Sequence, residues 1–195
     1  MEARPVNQQW WASLSENWKT AFAATFFMHS NEPTPAELAR LFAATALRFA
    51  GPGAPYPNMS FELPDLSGVI ALQNLEIFVF THHAVSSIKE LDALTQLKSL
   101  FLFNNKIKSL EGIEGLAGLK QLYVQHNEIE SILPVKSLTN LEELYINDNQ
   151  VSSLEGLTEA HSEKLEKFFC KPNDRLKQKE ILFTERELGI RCRSL

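Results

Sequence analysis

The sequence predicts an α/β solenoid: a right-handed superhelix with a parallel β-sheet on its concave face, 3₁₀ turns on its convex face and a helical N-terminal cap. Three observations predict this fold class. A unit of 22 residues repeats along the chain, each unit opens with apolar residues at strand spacing, and each continues with apolar residues at every third position. The length of 195 residues and the 44% hydrophobic fraction suit one domain with a sizeable buried core.

The repeat is visible when three segments are aligned. They are LTQLKSLFLFNNKIKSLEGI from Leu94, LAGLKQLYVQHNEIESILPV from Leu116 and LTNLEELYINDNQVSSLEGL from Leu138, so successive units begin 22 residues apart. An earlier unit begins at Leu72, and a degenerate fifth begins at Leu165 after a two-residue insertion around His161. Four regular units and one degenerate fifth unit therefore indicate a stacked repeat architecture.

Each unit has two halves with different periods. In the second unit, Leu100 and Leu102 alternate as in a strand with one buried face, and Asn105 then turns the chain. The Asn105 amide can bond to backbone groups inside the coil, where an unmet polar group would be costly. Its stacked equivalents are predicted to form a structural ladder of His83, Asn105, Asn127, Asn149 and Asn173. From Ile107 onward an apolar residue occurs at every third position, which matches the 3₁₀ helix better than the α-helix.

Capping segments are expected at both ends, because a terminal repeat would otherwise expose its core. We predict one structural domain with a helical N-terminal cap (1–44), an irregular capping repeat with a loop insertion at 51–60 (45–71), the repeats (72–175) and a C-terminal cap helix (176–195). In the N-terminal cap, Ser13 and Glu16 are interpreted as a capping box. The apolar stripe of that helix is predicted to be Trp11, Leu14, Trp18, Phe22 and Phe26. A second helix is predicted to begin at Thr34-Pro35-Ala36-Glu37.

The repeats carry the pattern L-x-x-L-x-L-x-x-N-x-I/L, with Leu97, Leu100, Leu102, Asn105 and Ile107 in the second unit. From Leu72 to about Asn173 the chain resembles the internalin-like class of leucine-rich repeats, which occurs in bacterial proteins and in some eukaryotic regulatory subunits. The segments WKTAF and EPTPAEL look like the helical part that precedes such repeats in bacterial proteins. The resemblance implies a bacterial member whose curved sheet binds another macromolecule on its concave face.

Strand alternation also predicts which side chains point away from the core. One outward column reads Val, Phe, Tyr, Tyr and Phe on five consecutive strands, a stripe of about 19 Å at the usual strand spacing. A polar rim around an aromatic row is typical of an interface core. The predicted partner-binding residues are Val79, Phe101, Phe103, Tyr123, Gln125, Tyr145, Asn147 and Phe169.

The leading hypothesis is a non-enzymatic module that binds a partner protein or peptide through this column. A carbohydrate- or small-ligand-binding solenoid is an alternative, because aromatic faces also stack on sugars. A scaffold that self-associates through the sheet is another, so a homo-oligomer stays open. The column could also serve only to pack against itself, since cross-strand aromatic pairs stabilise a sheet by about 0.2–1 kcal/mol each.

Composition and motifs weigh against other classes of function. The net charge is −5 and no block of basic residues occurs, which argues against nucleic acid or an anionic membrane as the partner. The sequence has no phosphate loop, zincin helix or nucleophile elbow, so no enzyme, metal or cofactor is expected. Two cysteines are too few for a secreted disulfide framework, so we expect a cytoplasmic protein. Cys170 is predicted to be a small buried hydrophobe rather than bonded to Cys192.

Overall fold

A computed structural model describes residues 6–194 of the chain. Seven strands form one parallel sheet in chain order, each hydrogen-bonded to the next. Their bounds are β1 Ala46–Ala50, β2 Ile77–Thr81, β3 Ser99–Phe101, β4 Gln121–Tyr123, β5 Glu143–Tyr145, β6 Lys167–Lys171 and β7 Cys192–Ser194. Parallel neighbours one repeat apart are the arrangement that a solenoid requires, and the predicted fold class is confirmed.

The two periods of the repeat have distinct structural consequences. Alternation along β3 buries Leu100 completely, and Leu102 follows it into the core at 0% exposure. The period-three residues of the same coil are also 0% exposed at Ile113, Leu116 and Leu119. Their backbones bond three residues back, with Leu116 N donating to Ile113 O at 2.9 Å and Leu119 N donating to Leu116 O at 2.9 Å. Every third side chain therefore points into the coil, as in a 3₁₀ helix.

Full 3₁₀ helices form in two of the repeats, at Lys89–Ala93 and Leu133–Ser137. In the coil between them the same segment is a series of turns that includes Gly112. The predicted 3₁₀ character of the convex side is thus present, in short pieces of five residues, as is usual for this type of helix.

The N-terminal cap contains three α-helices, α1 Val6–Ser13, α2 Glu16–Phe22 and α3 Pro35–Phe42, with a π-helical turn at Ala23–Phe27 after α2. The predicted capping box at Ser13 and Glu16 is wrong, because Ser15 caps α2 and accepts a hydrogen bond from Trp18 N at 3.3 Å. Ser13 Oγ instead donates to the Trp10 carbonyl at 2.7 Å. In the π-helical turn Phe27 is buried in the core, while the predicted Phe26 is partly buried and packs against it.

The second predicted helix start is confirmed. Thr34 precedes α3, its hydroxyl accepts from Glu37 N at 3.3 Å, and the Glu37 carboxylate accepts from Thr34 N at 2.8 Å. These reciprocal bonds satisfy two of the amide groups that a helix start leaves without partners.

The cap closes the first coil of the solenoid with aromatic rings. Trp18 is 0% exposed and lies 5.3 Å from the Phe49 ring and 6.0 Å from the Phe80 ring. Its indole N–H donates to Asp65 at 2.9 Å, so the polar edge of the ring is also satisfied. Gly68 lies under this ring, where a Cβ would approach Trp18 to 2.1 Å, so only glycine fits against the cap.

The insertion after β1 forms a loop beside the first strand of the sheet, and hydrogen bonds hold its base in place. Asn58 holds its base, because its side chain accepts from Ala50 N at 2.7 Å and donates to Arg48 O at 2.8 Å. Gly51 enters the loop where a Cβ would lie 1.8 Å from the His82 carbonyl oxygen. Tyr56, at the outer part of the loop, is 83% exposed.

The C-terminal end departs from the expected single helix. The insertion around His161 forms one helical turn, α4 Glu159–Ser162, and α5 spans Gln178–Glu187. After α5 the chain turns at Gly189, with φ of +67°, and Ile190 packs back into the core as predicted. The chain then forms β7, so the predicted helical C-terminal cap omitted a strand.

Candidate protein interface on the concave face

Strand register places five side chains in one row on the concave face, here called the aromatic column: Val79, Phe101, Tyr123, Tyr145 and Phe169. Each of them is half-buried. Successive pairings join Val79 to Phe101, Phe101 to Tyr123, Tyr123 to Tyr145, and Tyr145 to Phe169. Because the sheet is parallel and in register, each ring meets its equivalent on the next strand.

The rings of the aromatic column stack on one another. The Tyr123 and Tyr145 centroids are 4.0 Å apart with an interplanar angle of 31°, and those of Tyr145 and Phe169 are 4.5 Å apart at 21°. Phe101 meets Tyr123 edge-on at 4.8 Å. Both faces of the Tyr145 ring therefore contact neighbouring rings, and the surface it offers to solvent is its edge.

An arginine lies at each end of the aromatic column. Arg48 pairs with Val79 in the strand register, and its guanidinium donates to the Tyr56 carbonyl of the loop. At the other end, the Arg193 guanidinium is 6.0 Å from the Phe169 ring centroid and donates to Glu166 O at 2.9 Å. The row of rings is thus bounded by positive charge on both sides.

A polar network borders one side of the aromatic column. Ser99 donates to Gln121 at 2.7 Å, Tyr123 OH donates to Glu143, and Lys167 Nζ lies 3.0 Å from Glu143 Oε1. Partial burial acts to raise the pKa of Glu143, but the hydrogen bonds from Tyr123 and Lys167 outweigh it and lower that pKa. Burial and the Glu143 carboxylate together raise the pKa of the Tyr123 phenol, which therefore remains a protonated donor. The network fixes the Tyr123 ring.

The remaining predicted contact residues lie on the opposite side of the aromatic column from this polar network. They are Phe103, Gln125 and Asn147. Phe103 and Gln125 are half-buried and face the concave surface. Asn147 is only 1% exposed, and its amide donates to the Asp148 carboxylate at 2.6 Å. The prediction that Asn147 contacts a partner is therefore wrong, because strand alternation gives the side of the sheet but not the extent of exposure.

A row of left-handed residues follows the strands and was not expected from the sequence. His82, Asn104, His126 and Asp148 have φ between 55° and 59° and occupy equivalent positions in four coils. After glycine, Asn, Asp and His are the residues found most often in this conformation, so their recurrence three positions after each of the first four members of the aromatic column could have been recognised in the sequence. The turn brings His126 Nδ1 within 3.5 Å of the Asp148 carboxylate at the border of the concave face.

The ladder residues lie inside the coil, away from this surface. Asn127 donates to Leu102 O and Val124 O at 3.0 Å each and accepts from Ile107 N at 3.0 Å. Asn149 repeats this geometry one coil later. The ladder is structural, since each amide joins two successive coils.

His83 occupies the position of the ladder in the first regular unit. Its Nδ1 accepts from Leu63 N at 3.2 Å, which is the equivalent of the Ile107 N–H bond to Asn127. The side chain is 4% exposed and lies 4.2 Å from the Phe80 ring, and burial lowers the pKa of His83 from 6.5 to about 4. A neutral imidazole is thus the form that folding favours.

We expect this histidine to make stability depend on pH. Unfolded His83 binds a proton below pH 6.5 whereas the folded protein resists it until about pH 4, so stability is lost as the pH falls between these values. The full loss attributable to His83 is about 3 kcal/mol. Urea unfolding at pH 7, 5.5 and 4.5 measures it, and His83→Asn, which does not titrate, should flatten the profile. An equal decline in the variant would show that other groups cause it.

Two further properties of residues 6–194 bear on function. No group of three His, Cys, Asp or Glu side chains in this part of the chain could hold a metal ion. No helix in the same range combines the length and apolar character needed to cross a bilayer.

Comparison with known proteins places the repeats in a known class. The family model described as Leucine Rich repeats (2 copies) matches residues 95–137 and 117–159. None of the curated protein sequences matches the chain significantly.

Among solved structures, the chain is similar to an internalin from Listeria monocytogenes, with a TM-score of 0.64 and 22% identity over 82% of this chain and 43% of that one. Internalin C2 from the same organism has a TM-score of 0.53 and 26% identity, over 64% of this chain and 51% of that one. The leucine-rich-repeat ectodomain of an Arabidopsis thaliana membrane receptor kinase, solved in complex with Casparian strip integrity factor 2, has a TM-score of 0.53 and 18% identity, over 72% and 17%. The chain spans about half or less of each of these proteins. Residues 95–159 therefore match the leucine-rich-repeat family, and the described residues have the fold of the internalin-like solenoids.

Proposed function

We propose that the chain is a non-enzymatic interaction module that binds a partner protein or peptide on its concave face. Leucine-rich-repeat proteins are generally protein-interaction modules. The observation that carries the proposal for this chain is the aromatic column, a continuous row of half-exposed rings bordered by polar side chains. Aromatic residues with a polar rim are the usual energetic centre of protein interfaces.

The aromatic column is ordered before any partner arrives. Tyr123 and Tyr145 are held by ring contacts at 4.0 Å and 4.5 Å, and Tyr123 OH is also fixed by Glu143. Side chains that are already fixed lose little rotamer freedom on binding, so more of the buried apolar area appears as affinity. A partner that binds here would therefore lose little affinity to the ordering of these side chains.

Ring orientation favours a protein or peptide over a carbohydrate. A sugar stacks on the face of an aromatic ring, whereas the faces of Tyr145 are covered by Tyr123 and Phe169. Apolar side chains of a partner can pack against a row of ring edges without that requirement. The concave face therefore suits apolar side chains laid across the strands.

The concave face also changes in character along the solenoid. Its N-terminal strands present Ile77, which is 43% exposed, together with Val79 and Phe101. Its C-terminal strands present Lys171 and Arg193, neither of which has a carboxylate within 4.0 Å among the described ion pairs. A partner segment with an apolar part over Ile77, Val79 and Phe101 and acidic groups near Arg48 and near Lys171 and Arg193 would complement this surface.

The test is the double variant Tyr123→Ala/Tyr145→Ala, compared with wild type and with Phe183→Ala. Phe183 is a matched control because it is 59% exposed but belongs to α5 rather than to the sheet. Tagged proteins are used to capture partners from native lysate, while light scattering gives the oligomeric state and circular dichroism checks folding. We expect the double variant to stay folded and to lose a partner that wild type and Phe183→Ala retain.

Two other results would contradict the proposal. Loss of a wild-type dimer, with no partner lost, would assign the aromatic column to self-association. Unchanged capture together with a lower melting temperature would show that the rings serve only to stabilise the sheet.

A further inference from the structure

A cavity lies outside the sheet, between the convex side of the last repeats and the C-terminal helix. Its walls come from the 3₁₀ helix Leu133–Ser137, the segment 153–158 and α5, and none of its lining residues belongs to a strand. The volume of the cavity is about 240 Å³. Because water occupies about 30 Å³ per molecule in the liquid, this space holds a ligand of roughly eight to ten non-hydrogen atoms.

The apolar part of the lining comes from both the repeats and α5. Leu154 and Leu157 form the inner wall and are 4% and 7% exposed. Leu133 and Phe183 lie at the mouth and are 48% and 59% exposed. Apolar side chains that converge on one cavity with a few polar groups are the usual composition of a small-ligand site.

Comparison between coils shows that Leu133 is not required by the fold. Equivalent positions, 22 residues apart, hold Lys89, Glu111, Leu133 and Glu155. The first two form an ion pair across neighbouring coils, with Lys89 Nζ 2.8 Å from Glu111 Oε2. A charged side chain is therefore compatible with this convex position, and the leucine at the cavity mouth is the exception.

Groups of opposite charge line the same cavity. Glu180 Oε2 accepts from Ser153 Oγ at 2.9 Å and from Leu154 N at 3.4 Å, so the carboxylate is held in place. The other oxygen, Glu180 Oε1, lies 4.0 Å from Lys179 Nζ, which is beyond hydrogen-bond distance, and it can accept from a ligand. Within residues 6–194, the Lys136 ammonium group forms no ion pair.

We propose that this cavity binds a free α-amino acid whose aliphatic side chain has the size of that of leucine. The ligand side chain packs among Leu133, Leu154 and Leu157. Its ammonium group donates to Glu180, and its carboxylate pairs with Lys136. Such a molecule is apolar at one end and carries both charges at the other, which matches the lining of the cavity.

The two charged groups of the ligand set its selectivity, and the apolar part supplies most of the buried area. The exposed carboxylate of Glu155 also lies at the cavity and further favours the ammonium group. We expect a dissociation constant of roughly 0.1–1 mM, because the ligand is small and exposed ion pairs such as that with Lys136 are screened by water. This site is independent of the aromatic column, so it goes beyond the proposed protein interface.

The test is an NMR titration of the full chain, isotope-labelled at its leucine methyl groups, with leucine and two analogues of the same shape. Isocaproate lacks the ammonium group of leucine, and isoamylamine lacks its carboxylate. We expect leucine to shift the methyl signals of Leu154 and Leu157 until they saturate. Each analogue should bind more weakly by roughly tenfold, since each loses one charged hydrogen bond.

Two variants locate the site. Leu133→Glu introduces the residue that the preceding coil has at Glu111, so the protein should stay folded by circular dichroism but lose the leucine-induced shifts at Leu154 and Leu157. Leu182→Glu is the matched control, because Leu182 is 38% exposed on α5 but does not line the cavity. This control should bind leucine as wild type does.

Three results would overturn the proposal. Absence of saturable shifts at leucine concentrations up to about 10 mM would show that the cavity takes no such ligand. Equal binding of leucine and either analogue would show that the corresponding charge is not recognised. Unchanged leucine binding by Leu133→Glu would place the ligand elsewhere on the protein. None of these results depends on whether a partner is captured on the concave face.

Discussion

Replacing Asn127 with alanine is expected to lower the free energy of unfolding by about 3–5 kcal/mol. The amide of Asn127 donates to carbonyls of two successive coils and accepts from Ile107 N, and the side chain is 8% exposed. Alanine removes all of these bonds and leaves buried backbone groups without partners. Each such group costs about 1–3 kcal/mol, so their combined loss exceeds that of an ordinary surface substitution.

Urea unfolding followed by circular dichroism measures this loss. Gln150→Ala is the matched control, because Gln150 is exposed in the following coil and only its backbone bonds to a neighbouring coil, through Gln150 N and Ile129 O at 2.9 Å. A shift for Asn127→Ala no larger than that for Gln150→Ala would contradict the structural role of the ladder.

The substitution Trp18→Ala, made alone, is expected to lower the free energy of unfolding by about 3–5 kcal/mol. Trp18 is fully buried and packs on Phe22, Phe49 and Phe80 at ring distances between 5.3 and 6.0 Å. Its removal leaves a cavity between the helical cap and the first coil. Because each coil is stabilised mainly by its neighbours, a damaged cap should also weaken the N-terminal repeats first.

Thermal unfolding and near-ultraviolet circular dichroism test this role of Trp18. Trp18→Phe is the control, since it retains an aromatic ring but loses the bond to Asp65, and it should be affected much less than Trp18→Ala. Equal losses in the two variants would assign the stability to the Asp65 hydrogen bond instead of to the packing between cap and repeats.

The repeats could be predicted from sequence because their signal is both periodic and local. The alternation of Leu100 and Leu102 predicts a strand. The apolar residues from Ile107 onward recur at every third position, which predicts turns. The constant offset of 22 residues then sets the strand register, which is why the aromatic column forms as the pattern predicts. Four copies of the same pattern make each copy easier to recognise.

The ends and the exact exposure of side chains could not be predicted in the same way. The N-cap of α2 is Ser15 rather than the predicted Ser13, two residues away and of the same residue type, so local sequence alone does not separate them. β7 is three residues long, too short for a period to emerge, and is stabilised by pairing with β6. Asn147 faces the predicted side of the sheet, yet it is only 1% exposed and its amide donates to Asp148. These features depend on contacts between distant residues.

Hydroxyl-radical footprinting of the chain alone and bound to a captured partner tests the concave-face interface most directly. Side chains covered by a partner are oxidised less, so we expect reduced labelling of Phe101, Tyr123 and Tyr145 in the complex. Tyr56 and Phe183, which are 83% and 59% exposed outside the sheet, should be labelled equally in both states. Protection of Tyr56 or Phe183, with the aromatic column unchanged, would contradict the claim that the concave face is the binding surface.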